Sequence, residues 1–154
     1  GEAIDRVLNA LDECRLDCGY NLAMARSTSM GKNGFWKMTE DLADFDMAFD
    51  WKAPGKIVVC LHSMPVLTLS RTRGARIEGD AAWHRFTTEG EWCTANIRVH
   101  GGKVSVSING EHVMSDVRLV NPDRGTAANA SGFIMFTADA DGAEVRQVCI
   151  KKMP

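Results

Sequence analysis

From Asp44 the chain alternates: Phe45, Met47, Phe49 and Trp51 take every second position, with Asp46, Ala48, Asp50 and Lys52 between them. Period two marks a strand with one buried face, so Asp44–Lys52 is predicted as a half-buried antiparallel strand. Pro54-Gly55 ends it, Lys56–His62 follows as an apolar strand, and Pro65 leads into another over Val66–Arg71. The polar, glycine-containing stretch Arg71–Asp80 reads as a loop or a short edge hairpin. Upstream, the alternation begins weakly in Tyr20–Arg26. Before that, Ile4, Val7, Leu8 and Leu11 fall at i, i+3, i+4 and i+7, which predicts an amphipathic helix of about three turns ending near Gly19.

The block Glu91–Met114 carries two tight turns, Gly101-Gly102 and Asn109-Gly110, whose residues tolerate the positive φ that two-residue hairpin loops require. With those turns fixed, His100 lies opposite Lys103, Val99 opposite Val104, Arg98 opposite Ser105, Ile97 opposite Val106 and Asn96 opposite Ser107. In the next hairpin Ile108 faces Glu111, Ser107 faces His112 and Val106 faces Val113. Every apolar pair then shares one face, which a slip by one residue would destroy. Asn121–Asn129 reads as a loop, and Ser131–Ala138 and Val145–Met153 as a last hairpin around Asp139–Gly142.

Roughly eight to eleven such strands, with turns every eight to twelve residues and no alternation with helices, predict an all-β sandwich of two antiparallel sheets. The expected layout is a helix over residues 1–18 appended to a single β-sandwich domain over residues 19–154. The length of 154 residues is enough to bury a core without disulfides or metal. A net charge of −2 and a pI near 6.1 argue against a basic nucleic-acid surface. The longest apolar runs, such as Ile57–Leu61, are far too short to span a membrane as a helix.

Five cysteines, Cys14, Cys18, Cys60, Cys93 and Cys149, form no CxxC pair, and the last three sit in apolar strand patterns. Free thiols are expected, and Cys14 and Cys18 lack the further ligands that zinc needs. Gly1–Asp5 has neither a basic n-region nor an apolar h-region, so the chain reads as cytosolic or as one whose leader has been removed. The leading glycine points to a trimmed N-terminus.

Three segments in order, Asp41–Gly55, Gly90–Val113 and Ser131–Met153, resemble the concanavalin A-like or laminin-G-like jelly rolls known as 3-keto-disaccharide hydrolases, long treated as a domain of unknown function. The resemblance covers about Phe35 to Met153. It implies a bacterial, secreted or periplasmic protein directed at an oligosaccharide or glycoside, whereas the free cysteines point to the cytoplasm. The chain departs from the family pattern after Trp51: Ala53-Pro54-Gly55-Lys56 stands where an Asn-Ser-Gly turn is usual, and the later Gly-x-Glu-x-Gln strand is missing.

Opposite the apolar face, the hairpin register gathers Trp92, Thr94, Asn96, Arg98, His100, Ser105, Ser107 and His112. This set has donors, acceptors and a flat ring, as sugar recognition needs, although polar residues also suit any solvated sheet face. Trp92, Asn96, Arg98, Ser105 and Ser107 are the candidate ligand contacts. Asp46 with His100 or His112 is the candidate acid–base set for removing a proton beside a keto group. Asp46 and Asp50 lie roughly 13 Å apart along one strand, outside the spacing of a glycosidase carboxylate pair. Asp139 and Asp141, with Glu144, match the loop-edge position of calcium in laminin-G-like domains, and Asp-Ala-Asp-Gly is equally an ordinary turn. No other cofactor is indicated. His62 and His84 read as structural or surface residues, Trp36, Trp51 and Trp83 as core or strand-end aromatics, and Asn129-Ala130-Ser131 is a glycosylation sequon. No nucleophile elbow or phosphate loop is present. Glycan binding or glycoside hydrolysis on the polar sheet face is therefore the first expectation. The alternative is a non-catalytic interaction domain that docks a partner through its N-terminal helix.

Overall fold

The computed structural model describes residues 22–24, 28–30 and 34–153, and the helix expected over residues 1–18 lies outside them. Twelve strands are described. They are β1 Leu22–Met24, β2 Thr28–Met30, β3 Phe35–Leu42, β4 Phe45–Lys52, β5 Lys56–Leu61, β6 Met64–Ser70, β7 Gly74–Ile77, β8 Cys93–His100, β9 Lys103–Ile108, β10 Glu111–Arg118, β11 Gly132–Ala138 and β12 Ala143–Lys152. One sheet runs β1-β12-β4-β8-β9-β10, with β2 also paired to β12; the other runs β3-β11-β5-β6-β7. Two antiparallel sheets enclosing one core make the sandwich that the alternation predicted, of the jelly-roll kind that the resemblance implied. No helix among the described residues is long and apolar enough to cross a membrane.

Period two drives the assembly. On β4, Phe45, Met47, Phe49 and Trp51 are buried while Asp46, Ala48, Asp50 and Lys52 stay partly exposed. β8 follows the same rule from Cys93 to His100. The sheets meet through aromatic contacts: Phe49 from the seven-stranded sheet lies 4.6 Å, centroid to centroid, from Phe136 of the other. Trp36 stacks on the same Phe136 at 5.1 Å. Burying each such ring removes enough apolar surface to stabilise the fold by about 1.5–3 kcal/mol. Cys60, Cys93 and Cys149 are buried, and burial pushes the Cys60 pKa up.

The β8-β9 register is the predicted one from Asn96↔Ser107 to His100↔Lys103. On β10, Glu111↔Ile108 and His112↔Ser107 also match, but Val106 pairs with Met114, not Val113. The ladder shifts between His112 and Met114, and again between Met114 and Val117. These bulges bring Met114 inward and leave Ser115 and Asp116 exposed, with Asp116 at φ 48°. A bulge is set by what the strand must reach in three dimensions, which turn rules cannot foresee.

The expected last hairpin is corrected. β11 pairs with β3 and β5, whereas β12 pairs with β4, β1 and β2, so the chain crosses from one sheet to the other at Asp139–Gly142. The crossing is tied to β5: Lys56 N donates to Asp139 Oδ1 at 2.8 Å. Of the two readings of Arg71–Asp80, the edge hairpin is observed, since β7 pairs with β6.

Candidate functional site

Cross-strand register builds the site on the outer face of the seven-stranded sheet. Ala48, Asn96, Ser107 and His112 form one row across β4, β8, β9 and β10, and Asp46, Arg98 and Ser105 form the next. Neighbouring members of a row are about 4.8 Å apart, close to the spacing of substituents on a small ring. Ala48 keeps the floor of its row low. Arg98 is held in a two-point fork on Asp46, with Nε to Oδ1 at 2.7 Å and Nη2 to Oδ2 at 3.0 Å. The pair is partly exposed, so its value lies in orienting the guanidinium more than in stability, about 0.2–1 kcal/mol.

The far wall is β10. His112 Nδ1 is 3.4 Å from Ser107 Oγ, and its Nε2 contacts Ser115 Oγ. Asp116 N donates to Ser105 Oγ at 2.9 Å, which fixes the bulge to β9. Together these residues line an open groove of about 570 Å³. Ser115 and Asp116 were missed from sequence. Their signal was the break in alternation between Met114 and Val117, two adjacent polar residues where a regular strand would carry one.

Of the candidates, Asp46, Asn96, Arg98, Ser105, Ser107 and His112 come together in the groove. Trp92 and His100 do not. Arg146 lies over the Trp92 ring, 3.8 Å from its centroid, and Lys52 Nζ is 5.1 Å from it. Arg146 also pairs with Asp50 at 3.1 Å, and Asp50 accepts from Thr94 Oγ1 at 2.7 Å. The hydrogen bond from Lys52 to Glu144, 2.8 Å away, holds the lysine pKa above its ordinary value. His100 sits at the other end of β8, 3.6 Å from Asp44.

Asp139 and Asp141 lie in the crossing between the sheets, where Asp139 serves the Lys56 amide. Among the described residues no three His, Cys, Asp or Glu side chains gather as a metal set. His62 is buried, with Nε2 2.6 Å from Ala43 O and Nδ1 3.0 Å from Asn129 O. Asn129 in turn donates its side-chain amide to His62 O, so the sequon asparagine is engaged in holding this turn. His84 meets Asp80 at 3.0 Å; the Ala82 amide and then the His84 imidazole hold the Asp80 carboxyl below its ordinary pKa. Trp51 is fully buried, as expected, and Trp83 lies under Arg73.

Two antiparallel sheets with a polar groove on one outer face place the chain among the jelly-roll β-sandwiches. Within that class, residues 19–151 match the family of 3-keto-alpha-glucoside-1,2-lyase-like domains, and the chain belongs to it. No curated protein matches the sequence. Among solved structures, the fold is similar to a Parabacteroides distasonis protein assigned as a glycosyl hydrolase, with a TM-score of 0.59, 13% identity and coverage of 86% of this chain and 81% of that one. It is also similar to the carbohydrate-binding module CBM66 from Bacillus subtilis, with a TM-score of 0.56, 10% identity and coverage of 82% and 92%. A third is the galectin LEC-6 of Caenorhabditis elegans, with a TM-score of 0.51, 12% identity and coverage of 81% and 95%.

Proposed function

We propose that the chain is a carbohydrate-directed domain that holds a glycoside in the groove between β4 and β10. The observation that carries this reading is the convergence of Asp46, Asn96, Arg98, Ser105, Ser107 and His112 on one open groove of about 570 Å³. That volume falls within the range of about 300–1,000 Å³ typical of small-molecule sites. Amide, hydroxyl, guanidinium and imidazole groups at regular sheet spacing can both donate to and accept from sugar hydroxyls. The family, and the carbohydrate-directed proteins with a similar fold, support the same reading. Isothermal titration against neutral oligosaccharides and their 3-keto derivatives tests it. Binding should weaken about tenfold in both Arg98→Ala and Asn96→Ala, a loss of about 1.4 kcal/mol. No heat with any sugar at millimolar concentration would refute it.

A second reading, lyase chemistry, is favoured by His112, the one imidazole in the groove. A neutral ring nitrogen can take the proton from the carbon beside a keto group; the C–H electron pair becomes a double bond, the glycosidic C–O bond breaks, and the departing oxygen gains a proton. His112→Gln should then abolish enone formation from a 3-keto-glucoside while leaving its affinity within about twofold. Turnover that survives this substitution removes His112 from the base role.

A further inference from the structure

About 20 Å along β4 from Asp46, a second and smaller groove opens at the end of the sandwich. It measures about 330 Å³ and is lined by Lys52, Ala53, Pro54, Arg71, Glu91 and Gly142. Arg71 follows β6 and reaches across to the loop before β8, where its Nη2 donates to Gly90 O. The Arg71 Nε is buried and meets no acceptor among the described residues. The other buried side-chain nitrogen in that condition is Trp51 Nε1, on the residue next to Lys52. Native proteins rarely leave buried donors unmatched, and a guanidinium presents five N–H groups in a fixed fork.

The charges around the groove are unequal in their partners. Lys52 is held by Glu144 at 2.8 Å and reaches Glu91 at 3.9 Å, with the Glu91 side chain 79% exposed at the rim. Arg71, by contrast, makes no ion pair among the described residues. Arg71 is therefore the cation of the groove without a direct carboxylate partner among the described residues, and its Nε is a donor without an acceptor.

We propose that this groove is a binding site for a small oxyanion, a carboxylate, sulfate or phosphate group, held by the Arg71 guanidinium with Lys52 at the rim. A guanidinium can offer two N–H groups to one oxyanion, which a point charge on a lysine cannot reproduce. The site is separate from the glycoside groove and does not depend on what that groove binds.

The full chain is titrated with sodium sulfate, sodium phosphate and sodium acetate, each against sodium chloride at matched ionic strength, and followed by calorimetry and tryptophan fluorescence. Saturable binding is expected above the chloride control. A response to sulfate or phosphate alone assigns a tetrahedral group, and a response to acetate alone a carboxylate. Arg71→Gln should weaken binding about tenfold. Arg71→Lys keeps the charge and guards against a folding defect, and should weaken binding by a similar factor because the fork is gone. Absence of saturable binding at tens of millimolar, or affinity unchanged in both variants, overturns the proposal.

Discussion

Replacing His62 by alanine should destabilise the sandwich by about 2–4 kcal/mol, although the residue lies outside both grooves. The imidazole is 1% exposed, and its two nitrogens sit 2.6 Å and 3.0 Å from the carbonyls of Ala43 and Asn129. It thereby ties the β3–β4 turn to the loop before β11. A donated hydrogen bond here is worth about 1 kcal/mol net, and the stranded carbonyls and the ring-sized void each add to the loss. Against a total of about 5–15 kcal/mol, this is a large fraction. His62 also has φ 51°, so His62→Gly should be more stable than His62→Ala by about 1 kcal/mol, the reverse of the usual order in a strand. Urea unfolding followed by tryptophan fluorescence gives both differences from the midpoints, provided the m-values agree. A loss below about 1 kcal/mol in His62→Ala, or a glycine variant weaker than the alanine one, would show that the imidazole does not anchor this turn.

The same turn makes Gly132 irreplaceable: a Cβ there would stand 2.5 Å from the His62 carbonyl carbon, so Gly132→Ala should cost at least about 3 kcal/mol by thermal unfolding. A loss under about 1 kcal/mol would mean that the backbones can separate. At the β10 bulge, Asp116→Gly should be neutral or stabilising, and Asp116→Val should cost about 1–2 kcal/mol, because φ 48° disfavours a β-branched residue. Equal stabilities for the two would place the bulge elsewhere. The Asp80 carboxyl, held below its ordinary value of 3.8, contributes stability above that pH and loses it as the pH falls through the lower folded-state value. The melting-temperature gap between the native chain and Asp80→Asn should therefore be full well above pH 3.8 and shrink as the pH falls below it. A gap that stays constant over that range would remove Asp80 from the acid response.

The fold was legible wherever a local rule acted alone. The alternation of β4 placed Phe45 through Trp51 inward, and two tight turns fixed the β8-β9 register to the residue. What escaped was set by distant partners. β3 mixes Trp36 and Met38 with Lys37, Glu40 and Asp41, so it shows no clean period, and its partner is β11 near the other end of the chain. Asp139–Gly142 has the composition of a hairpin turn, and nothing in its residues says that the next strand joins the opposite sheet. The candidate site was half legible for a geometric reason. Alternation assigns a face, but a face is longer than a ligand: Trp92 and His100 are separated by about 26 Å of extended chain, so only the middle of the set shares a groove. What the chain placed beside Trp92, the Arg146 and Lys52 cations, comes from β12 and β4 and was invisible from β8.

β4 lies between β8 and β12, with Phe45 paired to Val99 on one side and to Lys152 on the other. The β8-β9-β10 meander can form from neighbouring residues as soon as it is synthesised. Asp46, however, stands 52 residues before Arg98, so it takes its place beside the guanidinium only once β4 pairs with β8. Pairings between remote segments form slowly, so the ion pair that orients Arg98 is a late event in assembly. Substitutions that weaken the β4–β8 ladder would then leave a meander carrying most of the groove residues but without the carboxylate that aims the guanidinium.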